Sequence, residues 1–221
     1  MRLYIDTASA AAVAEYRPYG VIDGVTTNPS LAAAEDTSYR ETVERLATVT
    51  DGPLFVQVLA EDADGMVAEA RAYDEWADNV RVKIPATAPG YEALDRLRSE
   101  GIDAGITVLF SVPQAVLAAK NDATFVAPYV GRLEDAGEDG TAVVAGIQEA
   151  FDVHGFETEL LAASVRNRSQ ATALYRAGVD AITLPPDGIG DQFEHHKTSE
   201  GVSGFHDDWD GRGSPIGDAD E

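Results

Sequence analysis

The residue best suited to covalent chemistry is Lys83, which stands inside the apolar run Val80-Arg81-Val82-Lys83-Ile84-Pro85-Ala86-Thr87. The chain has only three lysines, Lys83, Lys120 and Lys197. Burial against Val82 and Ile84 disfavours the ammonium form and lowers the amine's pKa, leaving free nucleophile at neutral pH. Such an amine forms a Schiff base with a carbonyl substrate. Taken alone, a strand lysine is more often a surface residue whose head reaches water along its aliphatic stem. Its company decides the matter. Near the C-terminal end of nearly every apolar run stands a polar residue: Asp6, Thr26 with Asn28, Gln57, Lys83, Thr107, Tyr129, Ser164 and Thr183. Any one of them reads as a structural hydrogen-bonding group. Placed alike on converging strand ends, they read as the lining of an active site.

The elements that must bring these ends together are short runs rich in β-branched residues, alternating with amphipathic, alanine-rich stretches. The spacing predicts strands at 3–7, 24–28, 54–60, 80–85, 105–110, 125–130, 160–165 and 181–185. Helices are expected at 38–48, 64–76, 91–100, 111–120, 141–151 and 169–177, with Gly101, Gly155 and Gly178 just past helix ends, where a left-handed residue closes a helix. Eight strand–helix units in 221 residues predict α/β architecture, a single (β/α)8 barrel over 1–197 with a C-terminal extension at 198–221. A doubly wound open sheet is the alternative, but no Gly-rich phosphate fingerprint follows the first strand.

Asp and Glu total 39 against 16 Lys and Arg, giving a formal net charge of -23. A surface this acidic repels nucleic acid and anionic membranes, so neither is expected as a partner. The charge is scattered along helices, as at Glu35, Asp36, Glu41 and Glu44, rather than confined to a tail. That is the pattern of a cytoplasmic protein from a salt-accumulating cell, where high ionic strength screens self-repulsion. With no cysteine, disulfides and thiolate metal sites are excluded. No signal-like or membrane-length apolar stretch is found, so the chain is expected to be soluble and intracellular.

Five segments resemble one family across nearly the whole chain: Leu3-Tyr4-Ile5-Asp6-Thr7, Gly24-Val25-Thr26-Thr27-Asn28-Pro29-Ser30, the run 80–87, Phe125-Val126-Ala127-Pro128-Tyr129-Val130-Gly131-Arg132, and Leu161-Ala162-Ala163-Ser164-Val165-Arg166. In that order they resemble the small transaldolases and fructose-6-phosphate aldolases. The resemblance implies a metal-free, cofactor-free class I aldolase barrel acting on sugar phosphates, with Lys83 as the Schiff-base lysine. It implies that Asp6, Thr26 and Asn28 hold the lysine and substrate hydroxyls, and that Arg132 and Ser164 hold the sugar phosphate. It further implies a ring-like homo-oligomer, pentamer or decamer, in which a C-terminal helix packs on a neighbouring subunit. Here that helix is centred on Phe205 and Trp209, with Gly201, Gly204 and Gly211 weakening helix propensity and 217–221 read as a disordered end.

Two positions separate the branches of the family. Transaldolases of this kind usually carry Glu where this chain has Gln57, and often Phe where it has Tyr129. The Gln and Tyr pair resembles the fructose-6-phosphate aldolase branch. A carboxylate relays a proton through water, whereas an amide only orients that water, so Tyr129 becomes the acid/base, working through a water held by Gln57 and Thr107. Thr107-Val108-Leu109-Phe110-Ser111, Gly131-Arg132-Leu133-Glu134-Asp135 and Ser164-Val165-Arg166-Asn167 resemble the transaldolases more.

Other candidates read as bland. His154, His195, His196 and His206 lie away from the predicted strand ends and lack a three-ligand pattern. Lys197-Thr198-Ser199 follows a predicted helix rather than a strand, and Lys120 falls at a helix end, where a cation suits the helix dipole. Arg81 and Arg166 stand as anion-binding candidates, each open to the alternative of pairing with a neighbouring carboxylate.

Overall fold

The computed structural model describes residues 1–210 and 212–213. Eight strands form a closed, parallel barrel in sequence order: β1 (Arg2–Asp6), β2 (Gly24–Thr26), β3 (Leu54–Gln57), β4 (Val80–Pro85), β5 (Ala104–Leu109), β6 (Phe125–Pro128), β7 (Glu159–Ala162) and β8 (Ala181–Leu184). Closure is made by β8 on β1, with Arg2 opposite Ala181 and Ile5 opposite Leu184. The helices around it are α1 (Ala10–Tyr16), α2 (Pro29–Ala32), α3 (Tyr39–Val49), α4 (Ala63–Asp74), α5 (Ala88–Glu100), α6 (Val112–Lys120), α7 (Val130–Asp135), α8 (Gly140–His154), α9 (Arg168–Ala177), α10 (Pro186–Phe193) and α11 (His196–Trp209). This is the expected (β/α)8 barrel, with predicted element ends moved by up to three residues.

Local chemistry places the helix ends. Ser38, Asp62, Thr87, Ser111, Asp139 and Asn167 each accept a bond from a backbone N–H in the first turn of the helix they precede. These caps satisfy donors that the helix itself leaves open. Gly101, Gly155 and Gly178 close α5, α8 and α9 with φ of 78°, 66° and 78°.

Strand parity sorts the barrel into an outer and an inner set of side chains. Ile5, Val25, Leu54, Val56, Val82, Ile84, Ile106, Val126, Leu160 and Ile182 face outward and pack with the helices. Tyr4, Phe55, Phe125, Leu161 and Ala181 face inward. This corrects the sequence reading of Lys83: Val82 and Ile84 belong to the outer core, so the lysine's burial comes from the barrel interior. The interior floor is aromatic, with Phe55 5.0 Å from Tyr4 and 4.9 Å from Phe125. A Cβ at Gly105, opposite Lys83 in the β4–β5 register, would come within 2.6 Å of the Phe125 ring, so only glycine fits. Arg81 lies over both phenylalanine rings and pairs with Asp103 at 2.8 Å and Glu159 at 2.7 Å. It therefore closes the N-terminal end of the barrel, opposite the strand ends that carry the candidate site.

The expected extension begins slightly early, since α11 starts at His196, and the helix runs through Gly201 and Gly204 with none of its residues buried. Gly211 and the segment 217–221 lie outside the described residues. Among the described residues no helix is long and apolar enough to cross a membrane.

Candidate active site

Inward-facing positions one step nearer the C-terminal ends hold Asp6, Thr26, Gln57, Lys83, Thr107 and Thr183, while Tyr129 follows β6 directly. They line a cavity of about 560 Å³, joined there by Asn28, Arg132 and Ser164. Of the ten site residues expected from sequence, the cavity thus gathers nine. Arg166 is the exception. Its guanidinium makes a two-pronged bond to Asp135 at 2.6 and 2.7 Å and is not part of the lining. A pair this well matched in geometry occupies the planar fork that an anion would need.

Lys83 is 5% exposed and donates from Nζ to the carbonyl of Thr27. Burial lowers its pKa to about 8, an effect that the charge of Asp6 partly opposes. At pH 7 roughly a tenth of the lysine is then free amine, against roughly one part in three thousand for an ordinary lysine. Asp6 is raised above the usual carboxylate range by burial, with Lys83 and a bond from Thr26 acting the other way. Thr26 donates from Oγ1 to Asp6 at 2.7 Å, and Thr183 Oγ1 stands 2.7 Å from Thr26 Oγ1. This row of hydroxyls fixes the direction of the carboxylate.

On the opposite wall, Thr107 donates to the Tyr129 phenol at 3.4 Å, and the ring meets Phe110 edge-on at 5.9 Å. Burial foremost, and also the charge of Asp6, push the phenol's pKa up, so Tyr129 holds its proton at neutral pH. Between Tyr129 and Asp6 around the barrel, Gln57 presents a buried Oε1 that has no partner among the described residues. A buried amide oxygen in a polar cavity is a place for a water or a substrate hydroxyl. Asn28 commits its side-chain oxygen to the backbone N–H of Ser30 and Leu31, so only its amide N–H2 can serve a ligand. Arg132, in the last turn of α7, makes no ion pair among the described residues and is the cation at the rim.

Some contributors escaped the sequence reading. Val108 sits at a register break in β5 with φ of 53°, which lets two successive residues, Thr107 and Val108, line the cavity. A β-branched residue in that conformation is strained, and such strain gathers at functional sites. Ser164, which the sequence did single out, lies beyond the end of β7 rather than within the predicted strand, with φ of 57°. Thr27 contributes a backbone carbonyl, for which no side-chain pattern exists. The histidines lie on α8 and at the start and along α11, away from the cavity.

A closed parallel barrel with its polar cavity at the strands' C-terminal mouth, built around a desolvated lysine, defines a (β/α)8-barrel protein with an enzyme-like site. The sequence model of the family described as Transaldolase/Fructose-6-phosphate aldolase matches residues 3–214. A probable transaldolase of Methanococcus maripaludis strain C5 is 40% identical over 210 residues, 95% of this chain and 98% of that protein. One from Heliobacterium modesticaldum is 42% identical with the same coverage. The chain belongs to the transaldolase/fructose-6-phosphate aldolase family of enzymes. Among solved structures, the flavin-binding domain of baker's yeast flavocytochrome b2 superposes with a TM-score of 0.61 at 12% identity, covering 84% of this chain and 56% of that one. A mandelate oxidase mutant gives 0.57 at 12%, the chain spanning 63% of its length. These two share the barrel fold alone.

Proposed function

We propose that the protein is a fructose-6-phosphate aldolase that cleaves its substrate reversibly to dihydroxyacetone and glyceraldehyde 3-phosphate through an imine on Lys83. The observation that carries this reading is the pairing of a neutral Gln57, its buried amide oxygen unpartnered, with the protonated phenol of Tyr129. No carboxylate stands at position 57 to relay a proton, so the phenol takes the acid/base part.

Neutral Lys83 attacks the ketose C2, and proton transfer gives a carbinolamine. Tyr129 protonates the departing hydroxyl, which leaves as water, and a cationic imine and a phenolate remain. The C4 hydroxyl proton then passes to the phenolate, through a water held by Gln57 and Thr107, as the C3–C4 bond breaks. The bonding electrons move into the imine and give a neutral enamine, and the aldehyde departs. Protonation of the enamine at C3 by Tyr129 and addition of water release dihydroxyacetone and restore the amine. Asp6 stabilises the imine cation, Thr26 and Asn28 hold substrate hydroxyls, and Arg132 with Ser164 takes the phosphate dianion.

The second reading is a transaldolase, in which the enamine is passed to an acceptor aldose phosphate instead of being hydrolysed. It is favoured by relatives at 40–42% identity that are named probable transaldolases. Cleavage of fructose 6-phosphate is measured with and without erythrose 4-phosphate. Steady release of free dihydroxyacetone without acceptor supports the aldolase, and turnover that requires acceptor establishes the transaldolase.

A further inference from the structure

The β2–β3 ladder breaks off at the catalytic level, and a side chain from α3 stands in the break. Val25 pairs with Leu54 and Thr26 with Phe55, with Val25 N–H bonded to the Pro53 carbonyl at 2.9 Å and Thr27 N–H to that of Phe55 at 3.0 Å. In a parallel ladder the next bond runs from the Gln57 N–H to the Thr27 carbonyl. That bond is not made. The Gln57 N–H donates instead to the Tyr39 hydroxyl at 3.1 Å, which itself donates to the Gln57 carbonyl at 3.0 Å. The vacated Thr27 carbonyl accepts Lys83 Nζ.

Resting on the Schiff-base reading of Lys83, we infer that Tyr39 is a positioning residue: by capping both backbone groups of Gln57 it frees the Thr27 carbonyl to hold Lys83 and fixes where the Gln57 amide points. The phenol is fit for this part. It is the first residue of α3, set by the Ser38 cap, and its ring meets Tyr73 edge-on at 5.6 Å and Trp76 at 6.1 Å. Burial pushes its pKa up to about 12, so it stays both donor and acceptor across the working range. The peeled strand is held further along by Glu69, which accepts from the backbone N–H of Leu59 at 2.6 Å and Ala60 at 3.1 Å. β3 therefore stays attached to β4, through Val58 N–H on the Lys83 carbonyl, while its β2 side is opened for the lysine.

Tyr39→Phe removes one oxygen and leaves the ring packed. The released Gln57 N–H is then free to close the ladder on Thr27 and compete with Lys83. An acceptor favours the charged form of a lysine, so losing it lowers the pH midpoint of borohydride trapping by roughly half a unit. Displacement of Gln57 lowers kcat for fructose 6-phosphate roughly tenfold to a hundredfold, with KM changed far less. Tyr91→Phe is the control, since its hydroxyl donates to the Gln114 carbonyl at 2.8 Å, away from the β2–β3 break, and its kinetics are expected to stay at wild-type values. A Tyr39→Phe enzyme with wild-type kcat and trapping profile overturns the assignment, and so do equal losses in both variants or a Tyr39→Phe chain that fails to fold. A wild-type enzyme that traps no ketose at Lys83 overturns the Schiff-base reading instead.

Discussion

Replacing Lys83 with Met should abolish turnover and, at pH 7, make the protein more stable. The sign follows from the lowered pKa. Below pH 8 the lysine is charged in both the folded and the unfolded chain, and the folded state bears the full penalty of a buried ammonium. Between pH 8 and 10.5 the folded chain sheds its proton first and the penalty shrinks; above 10.5 it is gone. A fall from 10.5 to about 8 corresponds to about 3 kcal/mol at pH 7. The attraction of Asp6 is already inside that figure, because it is what keeps Lys83 from falling further. Against the gain stands the Thr27 carbonyl, which loses its donor at a cost of about 1–2 kcal/mol. Met fills similar volume, so no large cavity is added. The net gain is about 1–2 kcal/mol, or roughly 2–8 °C in Tm for a chain of this size. Thermal unfolding of both proteins in molar salt at pH 7, 9 and above 10.5 measures it. The gain should shrink with pH and reverse at the top of the range. Destabilisation at pH 7, or a difference that ignores pH, would refute a desolvated lysine at the centre of the site.

Three further outcomes are expected. Tyr129→Phe should slow C–C cleavage by roughly 10²–10⁴ and also slow the dehydration that forms the imine, which borohydride still traps on long incubation, and a loss below tenfold in single-turnover cleavage removes the phenol from proton transfer. Arg132→Ala should raise KM for fructose 6-phosphate and leave unphosphorylated ketoses almost unaffected, whereas unchanged discrimination between them would take Arg132 out of the phosphate site. Val202, Phe205 and Trp209 are exposed on α11, Phe205 at 75%, and we propose that they pack on a neighbouring subunit in a homo-oligomer that needs molar salt to screen the acidic charge. Sedimentation in low and high salt of the intact chain and of a truncation ending at His195 tests this, and a monomer throughout, or an oligomer indifferent to the truncation, contradicts it.

What was legible in the sequence was what strand periodicity carries. The apolar runs located all eight strands, and because parity in a barrel is shared by every strand, polar residues at corresponding heights had to meet. That is why Asp6, Gln57, Lys83 and Thr107 could be grouped from positions scattered over a hundred residues. The reading failed where a contact depends on a partner remote in sequence or on the backbone. Arg166 stood as an anion site with carboxylate pairing as the alternative, and nothing in the chain announces that Asp135, on a short helix the periodicity missed, would stand beside it. The bulge at Val108, the carbonyl of Thr27 and the ladder break filled by Tyr39 are backbone events, and they carry no residue-type signature. The four-residue α2 and six-residue α7 are too short to display a helical period.

The proposed chemistry turns on an imine at one particular lysine, and the chain provides its own controls, since Lys120 and Lys197 are both exposed. Incubation with fructose 6-phosphate, reduction with borohydride, digestion and peptide mass mapping test it directly. The expected result is a stable adduct on the Lys83 peptide alone, with activity lost in proportion. An unmodified Lys83 in active enzyme, or label on Lys120 or Lys197 instead, would contradict it.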